Sequence, residues 1–179
     1  MKLVCVAASV LVLSVGVAAQ GNSGSGKGNG KPVSTITLTL GGLQCTTPVG
    51  TDAFRVQAWS WGASNPAAVG GAGGGAGAGK ANLSDLNILK AFDACSPALF
   101  GGVVTGRAFP SLTLTQSNSD GTATTLSLTD VRVTGWQASG STASEAATES
   151  VSFAFAKVCL ADGASGARFC FDVAANKTF

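Results

Sequence analysis

Period-two alternation of apolar and polar side chains, interrupted at short intervals by turn residues, constrains this chain more than any other feature. Thr35-Ile36-Thr37-Leu38-Thr39-Leu40 sets Ile36, Leu38 and Leu40 on one side and three threonines on the other. Side chains alternate across a strand, so such a run has one buried face. Phe54–Trp61, Leu86–Phe92, Phe109–Gln116, Thr122–Val133, Val151–Leu160 and Arg168–Val173 read as further strands. In Phe54–Trp61, Phe54, Val56 and Ala58 share one face and Trp59 and Trp61 the other, which requires a central or covered strand. Asn118-Ser119-Asp120-Gly121 reads as a hairpin connection, with Asp-Gly expected to take positive φ at both turn positions. Residues 162–166 make the turn of a last pair.

One segment breaks the pattern. Ser96 is placed to cap a helix, Pro97 suits its first turn, and Gly106 can end it. Leu99, Phe100, Val103 and Val104 recur at helical spacing and read as a stripe packed on the core. Gly101 and Gly102 weaken this helix by roughly 1 kcal/mol each relative to alanine. Many short strands and one short helix predict a mainly β fold, a closed or nearly closed barrel of antiparallel strands with the helix at its side.

The chain opens with the pattern of a secretory signal peptide over residues 1–19. Lys2 supplies the positive start, Leu3 to Val17 is almost entirely apolar, and Val17-Ala18-Ala19 is a small-residue cleavage site. The apolar run is shorter than the roughly 20 residues of a membrane span, so stable insertion is not expected. Residues 20–33 form a Gly/Ser-rich flexible leader, without a large apolar side chain over 20–31, and residues 34–179 form the domain. Of 11 basic residues only Lys2 lies in the signal, which leaves ten against nine acidic ones, a net charge of +1. No basic stripe is interleaved with aromatics, which argues against nucleic acid as a partner.

Processing also removes Cys5, and five cysteines become four: Cys45, Cys95, Cys159 and Cys170. An even count in an exported chain points to two disulfides. Zinc is a poor alternative, because there is no Cys-x-x-Cys spacing and no histidine. Cys159 and Cys170 are equidistant from the Ala164-Ser165 turn centre, so a hairpin there sets them opposite each other and leaves Cys45 for Cys95.

Little in the sequence supports catalysis. Without histidine, the Ser-His-Asp and Cys-His arrangements are excluded. Paired carboxylates remain conceivable for a small extracellular hydrolase. However, Asp120 and Asp162 sit in turns, Asp93 precedes the helix and can support its positive end, and Asp85, Asp130 and Glu149 are expected to hold hydrogen bonds or ion pairs. No cofactor is expected. Gly74 to Lys80 has P-loop spacing, but Ala81 stands where a magnesium-binding hydroxyl is needed, and no apolar strand leads into the glycines. Residues 66–79 therefore read as a low-complexity loop. Asn82-Leu83-Ser84 and Asn176-Lys177-Thr178 match the N-glycosylation pattern, which has meaning only in a eukaryotic secretory pathway.

The order of motifs adds a family resemblance. Trp59-Ser60-Trp61-Gly62 is followed by Asn65-Pro66 and the Ala/Gly loop to Lys80. Then come Asp85-Leu86-Asn87-Ile88, Ser96-Pro97, Leu128-Thr129-Asp130-Val131 and Glu149-Ser150-Val151-Ser152-Phe153. This series resembles the haemolysin-coregulated protein (Hcp) family, the tube subunits of type VI secretion, over about Thr35 to Phe179. The resemblance implies an Hcp-like barrel that is a structural protein and not an enzyme. It implies hexameric rings that stack into a tube and carry or shelter small effector proteins. It also implies that the loop marked by Pro66, Gly70, Gly74, Gly79 and Lys80 reaches the next ring. Tube subunits ordinarily lack an export signal. The alternative is a secreted monomeric β-barrel binding module that has lost assembly, and either reading places the chain outside the cell.

Overall fold

In the computed structural model, which describes residues 34–66, 80–144 and 146–179, the polypeptide is mainly antiparallel β. Its first half carries β1 (Thr35–Leu40), the short pair β2 (Thr46–Thr47) and β3 (Gly50–Thr51), β4 (Ala53–Val56), β5 (Ala58–Ser60), β6 (Ala63–Ser64), β7 (Asn82–Leu83) and β8 (Leu86–Ala91). Then follow α1 (Ser96–Thr105), β9 (Ala108–Ser117), β10 (Ala123–Ser139), β11 (Thr148–Ala154), β12 (Lys157–Asp162), β13 (Arg168–Asp172) and β14 (Lys177–Thr178).

Strand pairing closes a circuit. β1 pairs with β4 on one side, Leu38 opposite Phe54, and with β9 on the other, Leu38 opposite Leu114 and Leu40 opposite Leu112. β9 pairs with β10, where Leu126 meets Leu114 and Leu128 meets Leu112. β10 pairs with β11, β11 with β8, and β8 with β5. Only Gln57 separates β4 from β5, and its N–H donates to Leu89 O of β8 at 2.8 Å. The segment Ala53–Ser60 thus belongs to β1 by its first half and to β8 by its second, and the sheet returns to itself as a barrel. Closure removes the free edges that an open sheet would expose.

The alternation seen in the sequence fills this barrel. Leu38, Leu40, Phe54, Leu86, Leu112, Leu114, Leu126, Leu128, Val151 and Phe153 are buried in one cluster. Each large apolar side chain taken from water contributes roughly 1.5–3 kcal/mol.

Two expected strands are each divided in the structure. Phe54–Trp61 breaks at Gln57 because the chain exchanges partners from β1 to β8. The break shifts the phase, so Trp59 and Trp61 pack against the same core as Phe54 and Val56, while Ala58 is exposed. A one-residue slip moves every following side chain to the other face. Val151–Leu160 ends as β11 at Ala154 and resumes as β12 at Lys157. The cause lies on β10, which pairs with β12 through Thr124–Thr129 and with β11 through Arg132–Ser139. Between the two spans Asp130 adopts φ +54°, a local kink of the kind that turns barrel corners. In the β9–β10 connection only Gly121 has positive φ (+87°), not Asp120. The turn is longer than a two-residue hairpin, with Asn118 N–H donating to Thr122 O at 2.8 Å.

The helix is also adjusted. Its N-cap is Cys95, and Ser96 is the first helical residue. Gly106 ends it in the left-handed region, φ +63°, as glycine permits. Leu99 is buried and Val103 packs on the core, but Phe100 and Val104 are 46 % and 62 % exposed. The expected four-residue core stripe is therefore half core and half surface. The helix meets the sheet at Gly102, against Phe109 and Val133, and Phe100 rests instead on Trp136.

Candidate functional site

Three features stand out on the barrel: a buried polar network, two cysteine pairs and an apolar groove beside the β6–β7 ribbon.

The polar network is built on the apolar phase of β8. Leu86 and Ile88 point into the core and Lys90 follows them there, fully buried. Its cross-strand partner is Glu149 of β11, with Nζ 2.7 Å from Oε1. Nζ also lies 2.9 Å from Asp93 Oδ1, donates to Ala91 O at 2.9 Å, and sits 5.0 Å from the Phe54 ring centre. Ser96 Oγ donates to Glu149 Oε1 at 2.8 Å, and Trp136 Nε1 donates to Oε2 at 2.8 Å. Every charge is met, as a buried pair requires. Asp93 also accepts from the Cys95 N–H at the start of α1, the place expected of it. The network fixes α1 to β8, β10 and β11. In the sequence only the Leu86, Ile88, Lys90 phase signals that Lys90 lies inside.

The other carboxylates with described partners accept hydrogen bonds in loops, turns and between elements, while exposed Asp130 has no side-chain partner among the described residues, contrary to expectation. Asp85 Oδ2 accepts from Thr134 Oγ1 at 2.6 Å. Asp52 binds the Gly42, Gln44 and Cys45 N–H groups. Hydrogen bonds hold three carboxyls below the ordinary range: the Thr122 hydroxyl on Asp120, the Ser165 hydroxyl on Asp162, and the Ala175 N–H on Asp172. That direction is opposite to the one a general acid needs. Among the described residues no group of three or more His, Cys, Asp or Glu side chains could hold a metal ion.

Cys159 and Cys170 are cross-strand partners on β12 and β13, disulfide-bonded with Cα atoms 4.1 Å apart. Cys45 is bonded to Cys95, Cα to Cα 5.1 Å, and ties the loop organised by Asp52 to the N-cap of α1.

The β6–β7 ribbon pairs Ala63 with Leu83 and Ser64 with Asn82. Ser84 Oγ accepts from Gly62 N–H at 2.9 Å and closes its base. Pro66 and Lys80, at the ribbon's free end, are exposed. Gly70, Gly74 and Gly79 of the expected stacking loop lie outside the described residues, as does the signal and leader assigned to residues 1–33. Beside the ribbon lies a groove of about 320 Å³ lined by Trp61, Ala63, Ala81, Leu83, Val158, Leu160, Phe169 and Phe171. Its floor is the inner face of the β12–β13 extension, and the disulfide lies on the opposite face of that hairpin. Phe169 is 62 % exposed, and the buried Trp61 Nε1–H has no partner among the described residues. Trp61 belongs to a family-like motif in the sequence, where nothing brings it together with the distant Leu160 and Phe169.

Comparison with known proteins agrees with this architecture. The family described as type VI secretion system effector, Hcp, matches residues 41–161, more than half of the chain. No curated protein matches the sequence. Among solved structures, a type six secretion system protein superposes with TM-score 0.71 at 25 % identity, covering 82 % of this chain and all of its own. Hcp1 from Salmonella typhimurium gives 0.68 at 24 % identity, over 82 % of this chain and 99 % of its own. A type VI secretion system effector from Yersinia pestis gives 0.62 at 20 % identity, over 77 % and 99 %. A closed antiparallel barrel with one flanking helix, matched by sequence across its body and by fold over nearly the whole of these structures, makes this chain a member of the Hcp family of type VI secretion.

Proposed function

We propose that the protein is an exported structural subunit that associates with copies of itself into a ring of about six, and that the rings stack into a tube able to hold small effector proteins. The observation that carries this reading is the family match over residues 41–161 on a barrel whose sheet closes on itself. A ring needs a head-to-tail contact between two different surfaces of each copy. In this proposal the signal at residues 1–19 is removed, residues 20–33 form the leader, and residues 34–179 form the assembling unit outside the cell. The loop between Pro66 and Lys80 makes the contact between rings. No catalytic role is assigned, since the described carboxylates other than Asp130 hold hydrogen bonds or ion pairs that fasten the fold.

The two disulfides favour a second reading as well. They suit an oxidising compartment, away from the cytoplasm in which tube subunits ordinarily assemble. A secreted monomeric binding module would keep the barrel without the tube. Light scattering on the secreted protein separates the two. The ring reading expects a mass near six chains, and a clean monomer at high micromolar concentration overturns it in favour of the binding module.

A further inference from the structure

We propose that the groove lined by Trp61, Leu83, Leu160 and Phe169 receives the exposed α1 face of a second copy, Phe100 and Val104, as the head-to-tail contact. The proposal rests on the self-association reading and names its two surfaces.

Phe100 and Val104 are four residues apart and so lie one above the other on the helix. They are 46 % and 62 % exposed, and Phe100 is braced on Trp136 with ring centres 5.1 Å apart. The result is a convex apolar ridge held by its own packing. The groove is the concave counterpart, also apolar, with Leu160 and Phe169 40 % and 62 % exposed. Its 320 Å³ falls at the small end of the range for ligand sites, roughly 300–1,000 Å³, and suits one or two large side chains.

The two surfaces do not meet within one molecule. Leu160 is paired with Leu126 of β10, whereas Phe100 stacks on Trp136, ten residues further along the same strand. The kink at Asp130 lies between the two positions.

With residues 1–19 removed, as the self-association reading has it, the leader and the loop offer little to fill the groove. Residues 20–31 contain no large apolar side chain, and residues 67–79 contain one branched residue, Val69, among alanine and glycine. A second copy has what is required. The ridge and groove would form the apolar centre of an interface whose remaining area, toward the ordinary 800 Å² or so per partner, is polar rim. Because the two surfaces differ, repetition of the contact gives a ring or a filament wherever the same two copies do not reciprocate it.

Complementation tests the pairing. Phe169→Glu spoils the groove and Val104→Glu spoils the ridge, both at exposed positions where the fold should survive. Leu160→Asn and Phe100→Ser serve as second variants, and thermal unfolding checks each. On size-exclusion chromatography with light scattering, each single variant is expected to be monomeric. An equimolar mixture is expected to form a 1:1 dimer, since it still holds one intact groove and one intact ridge. Variants that assemble like the parent would overturn this inference and leave the ring reading standing. Monomeric variants that do not pair when mixed would also overturn it. An intact parent that is itself monomeric would instead remove the self-association reading, and this inference with it.

Discussion

Lys90 Nζ and Glu149 Oε1 lie 2.7 Å apart across β8 and β11, both side chains fully buried. The pair sits below the first turn of α1, where Ser96 and Trp136 complete its hydrogen bonding. Removing one partner leaves an uncompensated buried charge, which costs about 3–5 kcal/mol, whereas replacing both by apolar groups is far milder. Lys90→Met is expected to lose that much in urea unfolding, and Glu149→Leu less, because Asp93 still pairs with Lys90 at 2.9 Å. The double variant should lose clearly less than their sum. Additive losses would mean that the two charges do not depend on each other.

The disulfides should differ in their contributions. Cys159 and Cys170 are separated by 11 residues, and Cys45 and Cys95 by 50. Loop entropy gives roughly 3 kcal/mol for the shorter and roughly 4 kcal/mol for the longer. Cys45→Ser with Cys95→Ser should also loosen the start of α1, because Cys95 is its buried N-cap. Hydrogen exchange on residues 96–99 reads this effect. Peptide mapping without reductant is expected to recover 45–95 and 159–170 linkages, and any crossed linkage contradicts the assignment.

Adjacent glycines in α1 should respond oppositely to alanine. A Cβ at Gly101 meets nothing within 4 Å, while one at Gly102 comes within 3.2 Å of the Phe109 ring and 3.3 Å of a Val133 methyl. Phe109 and Val133 are both buried and have little room to give. Gly101→Ala is expected to stabilise by about 0.5–1 kcal/mol. Gly102→Ala should lose that gain to overpacking and fall about 1–3 kcal/mol below it. Thermal midpoints of the two variants decide the point.

Acid stability depends in part on the turns. Asp120, Asp162 and Asp172 are held below the ordinary 3.8 by hydrogen bonds in the folded state. A carboxyl whose pKa is lower when folded adds stability above its unfolded value and loses it as pH falls through its folded value. Their contributions are thus present at pH 5 and above and decline below pH 3.8. Asp162→Asn should lower the urea midpoint at pH 6 and converge with the parent toward pH 2. A difference that is constant with pH would separate the residue from the acid response.

Alternation made the barrel legible. Ile36, Leu38 and Leu40, or Leu112 and Leu114, can be assigned a face from spacing alone because each strand keeps one pair of neighbours along its length. Legibility failed where a strand changes neighbours. Gln57 and the Phe155-Ala156 break are exchange points set by other strands, one by β1 and β8, the other by the kink at Asp130. Nothing within Val151–Leu160 announces such a break. The cysteine pairing was legible because a hairpin register is local, with Cys159 opposite Cys170 around one turn. The groove was not, since Trp61, Leu83, Leu160 and Phe169 converge only after the barrel has closed.

The loop between Pro66 and Lys80 should be dispensable for folding and needed for stacking. Its two ends leave a ribbon that is fastened independently of it, through the Ala63–Leu83 and Ser64–Asn82 pairs and the Ser84 hydroxyl on Gly62. Closure entropy changes slowly with loop length, so a shorter connection costs little. The β4–β1 and β5–β8 pairings that close the barrel, and the α1 ridge, all lie outside the replaced segment. Replacing residues 67–78 with a short Gly-Ser linker is therefore expected to leave the thermal midpoint within about 1 kcal/mol equivalent of the parent and to preserve ring mass. Longer stacks, seen by negative-stain microscopy at high protein concentration, should disappear. Rings that stack equally well without the loop would remove the role given to it and leave ring formation untouched. A variant that fails to form rings would show that the loop belongs to ring closure itself.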